Sequence, residues 1–436
     1  MKPAGGAFLG GAGSRLLPAS IPFRFFGAAI SFHLLAWLAL LAGAERLPRF
    51  TGGLGWPLAA LHLVTLGVLA MTAIGASLQL LPVATRQPVR STRWPVAIWW
   101  LYTPGVGAVA LGMGAGLPWL LGTGAAAVLS ALLGYAALLA INLSGARGMP
   151  AVVAHGWLAL LSLLVALGTA LSLALAYLGV PLLDRNAALA LHLLFAAYGF
   201  MGLLALGLST ILVPMFALAA APDERRGLAS AGLAGSALIA AALAALGVAP
   251  QPLRGLAIAL GAVAVLLHLQ LMGQALRSGM RRELGRSFTL VRVGWGGLLA
   301  SLATAAASTA GAPLPDAAPT LFGLVVIGVW LLSFLLGILQ RILPFLASMH
   351  VGRGSKRPPT PSSLSAEGPL AVHFWCHLAA LAGLALACVA DSGLLASLAA
   401  GVGAVGAAAF GSFFLTLLRR MRDSAAAPPG ASRPMA

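Results

Sequence analysis

Long apolar stretches, separated by short polar loops, make up most of this chain. One of them runs from His62 to Pro82, HLVTLGVLAMTAIGASLQLLP, and contains no carboxylate, lysine or arginine. Twenty residues of α-helix rise about 30 Å, which matches the hydrocarbon core of a bilayer. The stretch therefore predicts a membrane-spanning helix with His62 near one face of the membrane and Pro82 near the other.

Two further stretches repeat this pattern. His192 to Pro214 reads HLLFAAYGFMGLLALGLSTILVP, and Leu324 to Pro344 reads LVVIGVWLLSFLLGILQRILP, with Phe322 and Leu324 at the positions of the histidines. When the three are aligned on their prolines, one glycine recurs seven residues earlier and another eight or nine residues before that. These glycines are Gly67, Gly75, Gly199, Gly207, Gly328 and Gly337. Glycine and proline are frequent in membrane helices, but the shared register favours an internal three-fold repeat.

Twelve apolar stretches predict an all-α, polytopic membrane protein, a pseudo-three-fold bundle of four-helix repeats. The predicted helices cover about 23–43, 56–82, 95–114, 117–142, 151–180, 187–219, 228–248, 254–276, 288–310, 319–347, 370–390 and 393–418. The predicted organisation is a cytoplasmic tail (1–22), one transmembrane domain (23–420) with a disordered cytoplasmic loop at about 348–368, and a second cytoplasmic tail (421–436). Composition agrees, because 60% hydrophobic and 8% charged residues are too apolar for a soluble chain of 436 residues.

Lysine and arginine fall mainly on one side of the predicted helices. Of the 26, 22 lie in the tails and even-numbered connections, and the other four are Arg46, Arg49, Arg185 and Arg254. By the positive-inside rule both termini are cytoplasmic, and His62 and His192 lie near the outer face. Topology and contact with anionic lipid then explain the formal charge of +17, so that a lipid bilayer and no nucleic acid is the expected partner.

Ionisable groups inside the predicted helices are histidines rather than carboxylates. All nine carboxylates lie in loops or tails, which weighs against ion-coupled transport. The eight histidines lie in or at the ends of helices: His33, His62, His155, His192, His268, His350, His373 and His377. An ionisable residue at membrane depth indicates function by default, although a neutral imidazole can also simply hydrogen-bond a neighbouring helix.

His62 and His192 are the leading cofactor candidates, because they share depth, direction and repeat position. Neutral imidazole is a good axial ligand for haem iron, and two imidazoles from facing helices can hold a low-spin haem. His33, in the middle of predicted helix 1, could complete a site with His62 if the first two helices pack together. The repeated glycines would allow close approach to the macrocycle. The four outer arginines could bind the haem propionates, and ordinary loop charges explain them equally well.

His373 and His377 form the motif HFWCH on predicted helix 11. Their spacing of four places both imidazoles on one face of the helix, and Cys376 adds a soft donor nearby. The pair is therefore a candidate metal site. The alternative is that two polar groups snorkel toward the cytoplasmic end of the helix.

The arrangement of the helices, with His62 on the second and His192 on the sixth, resembles the haem-copper oxidase subunit I superfamily. The stretch HLVTLGVLAMTAIGASLQLLPV looks like divergent single-subunit members of that superfamily, and the chain is also similar to the NnrS family, twelve-helix haem proteins linked to nitric oxide metabolism. This resemblance implies haem b as a cofactor, with His62 matching the low-spin haem ligand on helix 2.

The chain departs from the oxidase pattern around the copper site. His192 is followed by Leu193 and Leu194 where the oxidases have His-Pro-Glu, and Tyr198 follows His192 by six residues instead of four. Predicted helices 7 and 10 contain no histidine within their membrane spans, whereas the oxidases carry paired histidines there. A complete copper–haem centre for oxygen reduction is therefore not expected, and copper is kept only as a possible further metal.

The sequence thus predicts a haem b protein that serves electron transfer, or a response to nitric oxide or respiratory stress, with a respiratory electron carrier as its partner. Whether it is an enzyme stays open; if it is one, it is an oxidoreductase. Two alternatives also stay open. One is a transporter or metal-handling permease that uses the intramembrane histidines, and the other is a cofactor-free assembly factor for respiratory enzymes.

Overall fold

Twelve helices long and apolar enough to cross a membrane make up the computed structural model, which describes residues 17–89, 91–351 and 359–426. In chain order they are α1 (Ser20–Ala42), α2 (Trp56–Ala84), α3 (Arg93–Gly114), α4 (Pro118–Ser144), α5 (Pro150–Tyr177), α6 (Arg185–Ala217), α7 (Glu224–Ala245), α8 (Pro250–Ser278), α9 (Gly285–Thr309), α10 (Ala318–Val351), α11 (Glu367–Val389) and α12 (Gly393–Ser424). The predicted all-α class and the number of helices are confirmed.

Large apolar side chains cover the outside of this bundle, among them Trp100, Leu133 and Ile239. A soluble monomer rarely exposes so much contiguous apolar surface, whereas lipid tails accept it without penalty. Because helices satisfy their own backbone hydrogen bonds, such a bundle is stable inside a bilayer. The chain is a multi-pass membrane protein.

The last helix continues beyond its predicted end, and the loop before α11 contacts this extension. Arg420 of α12 donates a hydrogen bond to the carbonyl oxygen of Ser363 at 3.3 Å. Ser363 belongs to a short helix, Pro361–Leu364, that packs against α10 and α12. The loop at about 348–368, which the sequence predicted to be disordered, is therefore partly helical where it is described; residues 352–358 lie outside the described residues.

Three helices carry the same local distortion. A π-helical segment occupies Leu63–Ala70 in α2, Leu194–Gly202 in α6 and Leu324–Leu332 in α10. Each segment ends twelve residues before the proline on which the three sequences align. π-Helical turns are rare and occur frequently at functional sites. The shared register shows that α2, α6 and α10 are copies of one element, as the glycine and proline pattern predicted.

These three helices meet at the centre of the bundle. A cavity of about 60 Å³ lies between them, lined by Thr72 and Ala76 of α2, Leu204 of α6, and Phe334 and Ile338 of α10, with other aliphatic side chains. Around it the remaining helices form a ring that closes where α12 packs against α1. The centre of the bundle is therefore an apolar core with room for very few atoms.

Five of the six repeated glycines, all except Gly328, allow the preceding helix to pack closely. A Cβ atom at Gly67 would lie 2.7 Å from Cβ of Phe32 on α1, and one at Gly207 would lie 2.7 Å from Cβ of His155 on α5. Gly337 stands in the same relation to α9. The sequence suggested that these glycines leave room for a macrocycle. Their surroundings instead give them a role in helix packing, which keeps the three copies at similar distances from their neighbours.

Candidate functional site

His62 and His192 occupy corresponding places next to π-helical segments. His62 is the last residue before the segment in α2, and His192 lies two residues before the segment in α6. Both side chains are half-buried. A π-helical segment rotates the residues on one side of it around the helix axis relative to those on the other side. The same backbone distortion therefore influences the direction of both histidines.

Backbone carbonyl groups fix the orientation of both imidazoles. Nδ1 of His62 lies 3.0 Å from the carbonyl oxygen of Leu58, and Nδ1 of His192 lies 3.1 Å from that of Ala166 on α5. A carbonyl oxygen can only accept, so each Nδ1 carries the proton and each Nε2 keeps its lone pair. Metal-ligating histidines usually have this second hydrogen bond, because it fixes the tautomer and the ring plane.

The two imidazoles also lie close enough to interact electrostatically. Helices α3, α4 and α5 separate α2 from α6 in the sequence. The two lone-pair nitrogens belong to equivalent helices, and their shared role in binding a haem stays a prediction.

His33 contacts residues of α1 and α11. Its Nε2 accepts a hydrogen bond from the indole N–H of Trp37 at 3.1 Å, and its ring centroid lies 6.1 Å from that of His373. Helices α1 and α2 do pack together, as the sequence required for a site shared by His33 and His62. The described interactions of His33, however, are with α1 itself and with α11, so the structure does not bring it to His62.

His373 and His377 lie inside the bundle, where they are 0% and 2% exposed. Their rings stack with centroids 5.7 Å apart. Nε2 of His377 lies 2.9 Å from Oγ of Ser333, and Nδ1 of His373 lies 3.2 Å from the side-chain amide of Gln340, both on α10. The alternative of snorkelling side chains is wrong, because both imidazoles point at α10 rather than toward water.

A metal site at these histidines has little support in the geometry. Across the part of the chain that the structure describes, no group of three or more histidine, cysteine or carboxylate side chains is placed to hold a metal ion. Cys376 is half-buried, and its Cβ lies against Gly406 of α12. The predicted metal role of His373 and His377 stays a prediction that lacks a third ligand.

Two serines outside the predicted site residues, one in α2 and one in α6, form corresponding hydrogen bonds. Ser77 on α2 lies 2.8 Å from the hydroxyl of Tyr135 on α4, and Ser209 on α6 lies 3.0 Å from Nε2 of His268 on α8. All four side chains are buried. Each serine stands five residues before its repeat proline, and the partners follow 58 and 59 residues later, so the signal was present in the sequence.

A second cavity, of about 560 Å³, lies between helices α6 to α10. Alanines of α7 and α8 form much of its wall, and the rings of Tyr198 and Trp330 meet there with centroids 5.0 Å apart. Asp184 and Arg254 line the end at which α6 and α8 begin. The described residues that line this cavity include no histidine, so it offers no imidazole to a cofactor.

No family model matches this chain, and no curated protein sequence matches it. Among solved structures, a cryo-EM structure of a haem-copper terminal oxidase dimer is similar, with a TM-score of 0.61 at 11% sequence identity, covering 95% of this chain and 86% of that chain. This chain has a haem-copper oxidase fold. The predicted resemblance is confirmed at the level of the haem-copper oxidase fold, and the likeness covers nearly all of the bundle.

Proposed function

We propose that this protein binds one haem b between α2 and α6, with His62 and His192 as its axial ligands. The observation that supports the proposal is the shared hydrogen bonding of the two imidazoles, whose Nδ1–H groups bind backbone carbonyls and leave both Nε2 lone pairs available. Bis-imidazole haem supplies one-electron transfer. The haem-copper oxidase fold supports the same class of cofactor, since the similar solved structure is named as a haem-copper terminal oxidase.

Arginines on the same predicted side of the membrane as the two histidines would bind the haem propionates. Arg49 forms an ion pair with Asp391, which raises the pKa of the guanidinium and engages it elsewhere. Arg254 lines the large cavity between helices α6 to α10. Arg46, in the loop before α2, and Arg185, the first residue of α6, are therefore the cations that we assign to the propionates. Arg185 donates a hydrogen bond to the neutral hydroxyl of Tyr177 at 3.2 Å, and a carboxylate is a stronger acceptor than that hydroxyl.

A role in electron transfer, or in the response to nitric oxide or respiratory stress, fits such a haem, with a respiratory electron carrier as the redox partner. We assign no oxygen-reducing copper–haem centre to the chain, and any enzymatic activity would be that of an oxidoreductase. The excess of lysine and arginine in the tails and even-numbered connections supports a bacterial inner-membrane protein with both termini in the cytoplasm.

A dithionite-reduced minus oxidised optical spectrum tests the haem. The haem-supplemented protein, purified in detergent, is compared with His62→Ala, His192→Ala and, as a control at another buried histidine, His268→Gln. We expect sharp bands of a low-spin b-type haem in the wild type and the control, and loss of the low-spin signature in both other variants. A featureless spectrum from folded wild type, or bands that survive in both variants, would overturn the proposal.

A further inference from the structure

Three imidazoles from two helices are packed against each other inside the helix bundle. His33 of α1, His373 and His377 of α11, together called the histidine cluster, are all buried. Ring centroids lie 6.1 Å apart between His33 and His373, and 5.7 Å apart between His373 and His377. Phe410 of α12 closes the cluster, with its centroid 4.8 Å from that of His373.

Each member of the histidine cluster has one buried ring nitrogen without a hydrogen-bond partner among the described residues. These nitrogens are Nδ1 of His33, Nε2 of His373 and Nδ1 of His377. Buried polar atoms in native proteins nearly always have a partner, either in the protein or in ordered water. Three unpartnered nitrogens on rings in mutual contact therefore indicate a small bound molecule that forms hydrogen bonds.

The hydrogen bonds from the cluster to Trp37 and Ser333 determine which donors and acceptors the bound molecule must have. An indole N–H can only donate, so Nε2 of His33 accepts from Trp37 and its Nδ1 carries the proton. Oγ of Ser333 donates to the carbonyl of Gly328 at 3.1 Å, so it accepts from Nε2–H of His377 and leaves Nδ1 of that ring as an acceptor. The cluster thus presents a donor at one end and an acceptor at the other.

The electrostatic surroundings of the cluster also favour a neutral occupant over a metal ion. Among the described residues, the electrostatic interactions with titratable groups that act on the three imidazoles come from one another and not from a carboxylate or an arginine. A metal ion would need a lone pair where His33 presents an N–H. A neutral molecule that both donates and accepts satisfies all three nitrogens, and buried waters typically form about three hydrogen bonds.

We propose that the histidine cluster is a binding site for a water-sized, neutral hydrogen-bonding molecule, with water as its resting occupant, and that it is not a metal site. The molecule accepts from Nδ1–H of His33 and donates to Nδ1 of His377. The side-chain amide of Gln340 decides whether Nε2 of His373 donates or accepts, and one water can satisfy either state. The site links α1 to α11 and, through Ser333, to the end of the π-helical segment of α10.

Water-edited solid-state NMR of the ¹⁵N-histidine-labelled protein in lipid bilayers tests the site. We expect water cross-peaks at the three nitrogens, a protonated Nδ1 for His33 and a protonated Nε2 for His377. The signals are assigned with single His→Gln variants. Trp37→Phe keeps an aromatic ring at this position but removes the donor to Nε2, so the signals of His33 should report a mixture of tautomers while those of His268 stay unchanged.

Metal analysis of the same purified sample tests the alternative that the cluster binds a metal ion. We expect the wild-type protein to contain no zinc or copper that the His373→Gln variant lacks. A stoichiometric metal that disappears in this variant, or histidine nitrogens of the cluster without contact to water, would overturn the proposal. Neither readout requires haem, so the outcome is independent of the ligation proposed for His62 and His192.

Discussion

The indole N–H of Trp37 donates to Nε2 of His33, one turn earlier in α1, at 3.1 Å. This hydrogen bond occupies the nitrogen with which histidine most often ligates haem, and it turns the other nitrogen into a donor. His33 is therefore held in a state that suits hydrogen bonding and does not suit iron. In this respect His33 differs from His62 and His192, whose hydrogen bonds are made by Nδ1 and leave Nε2 available.

The first prediction concerns the haem spectrum and the stability of the variant His33→Phe. The haem spectrum should be retained, because neither proposed axial ligand depends on His33. Stability should fall by about 1–3 kcal/mol, because the indole N–H of Trp37 loses its buried partner. Optical spectra and thermal unfolding in detergent measure the two effects. Loss of the low-spin bands would instead place His33 in the haem site, as the sequence suggested.

The second prediction concerns the repeated serine hydrogen bonds. Ser209→Ala leaves His268 without its buried partner and Ser77→Ala leaves Tyr135 without its own, so each should cost about 1–3 kcal/mol. Adding Tyr135→Phe to Ser77→Ala removes both partners and should recover much of the loss. The exposed Ser144→Ala is the control and should stay within about 0.5 kcal/mol of wild type. Equal losses in the single and double variants would argue against a specific bond.

The third prediction concerns the glycines. Gly207→Ala should destabilise the bundle, because its Cβ would come within 2.7 Å of Cβ of His155 and force α5 and α6 apart. Gly232→Ala in α7 meets nothing within 4 Å and should stabilise by about 0.4–1 kcal/mol through the unfolded chain and helix propensity. Thermal unfolding of the two variants should show shifts of opposite sign, and a shared sign would contradict the packing argument.

The fourth prediction tests the arginines proposed to bind the haem propionates. Arg46→Gln and Arg185→Gln should each weaken haem binding by about tenfold, since a charge-assisted hydrogen bond to a propionate is worth about 1.5 kcal/mol or more. Arg49→Gln is the matched control on the same side of the bundle, because its guanidinium is paired with Asp391. Haem titration of the apoprotein measures the three affinities. An effect confined to Arg49→Gln would reassign the propionate contact.

Sequence patterns could predict the spans and the repeat because both depend on residues near each other in the chain. The positions of glycine and proline in α2, α6 and α10 gave the correct register. The π-helical segments could not be predicted, since an extra residue in a uniformly apolar turn leaves no periodic signal. The contact of His33 with His373 depends on how twelve helices close into a ring, and nothing local to Trp37 or HFWCH encodes that closure.

The last prediction uses the axial ligand itself. His192→Met replaces one proposed ligand by a thioether, and histidine–methionine ligation raises the reduction potential of a low-spin haem. We expect a rise on the order of 0.1 V or more, a fraction of the roughly 0.8 V over which axial ligands set haem potentials. Redox titration followed optically measures it, with His268→Met as a control that should leave the potential unchanged. If His192→Met and wild type share one potential while His62→Ala abolishes the bands, then α6 does not supply the second ligand. Because Nδ1 of His192 is held by α5 through Ala166, that result would require another side chain to displace an imidazole already fixed in orientation.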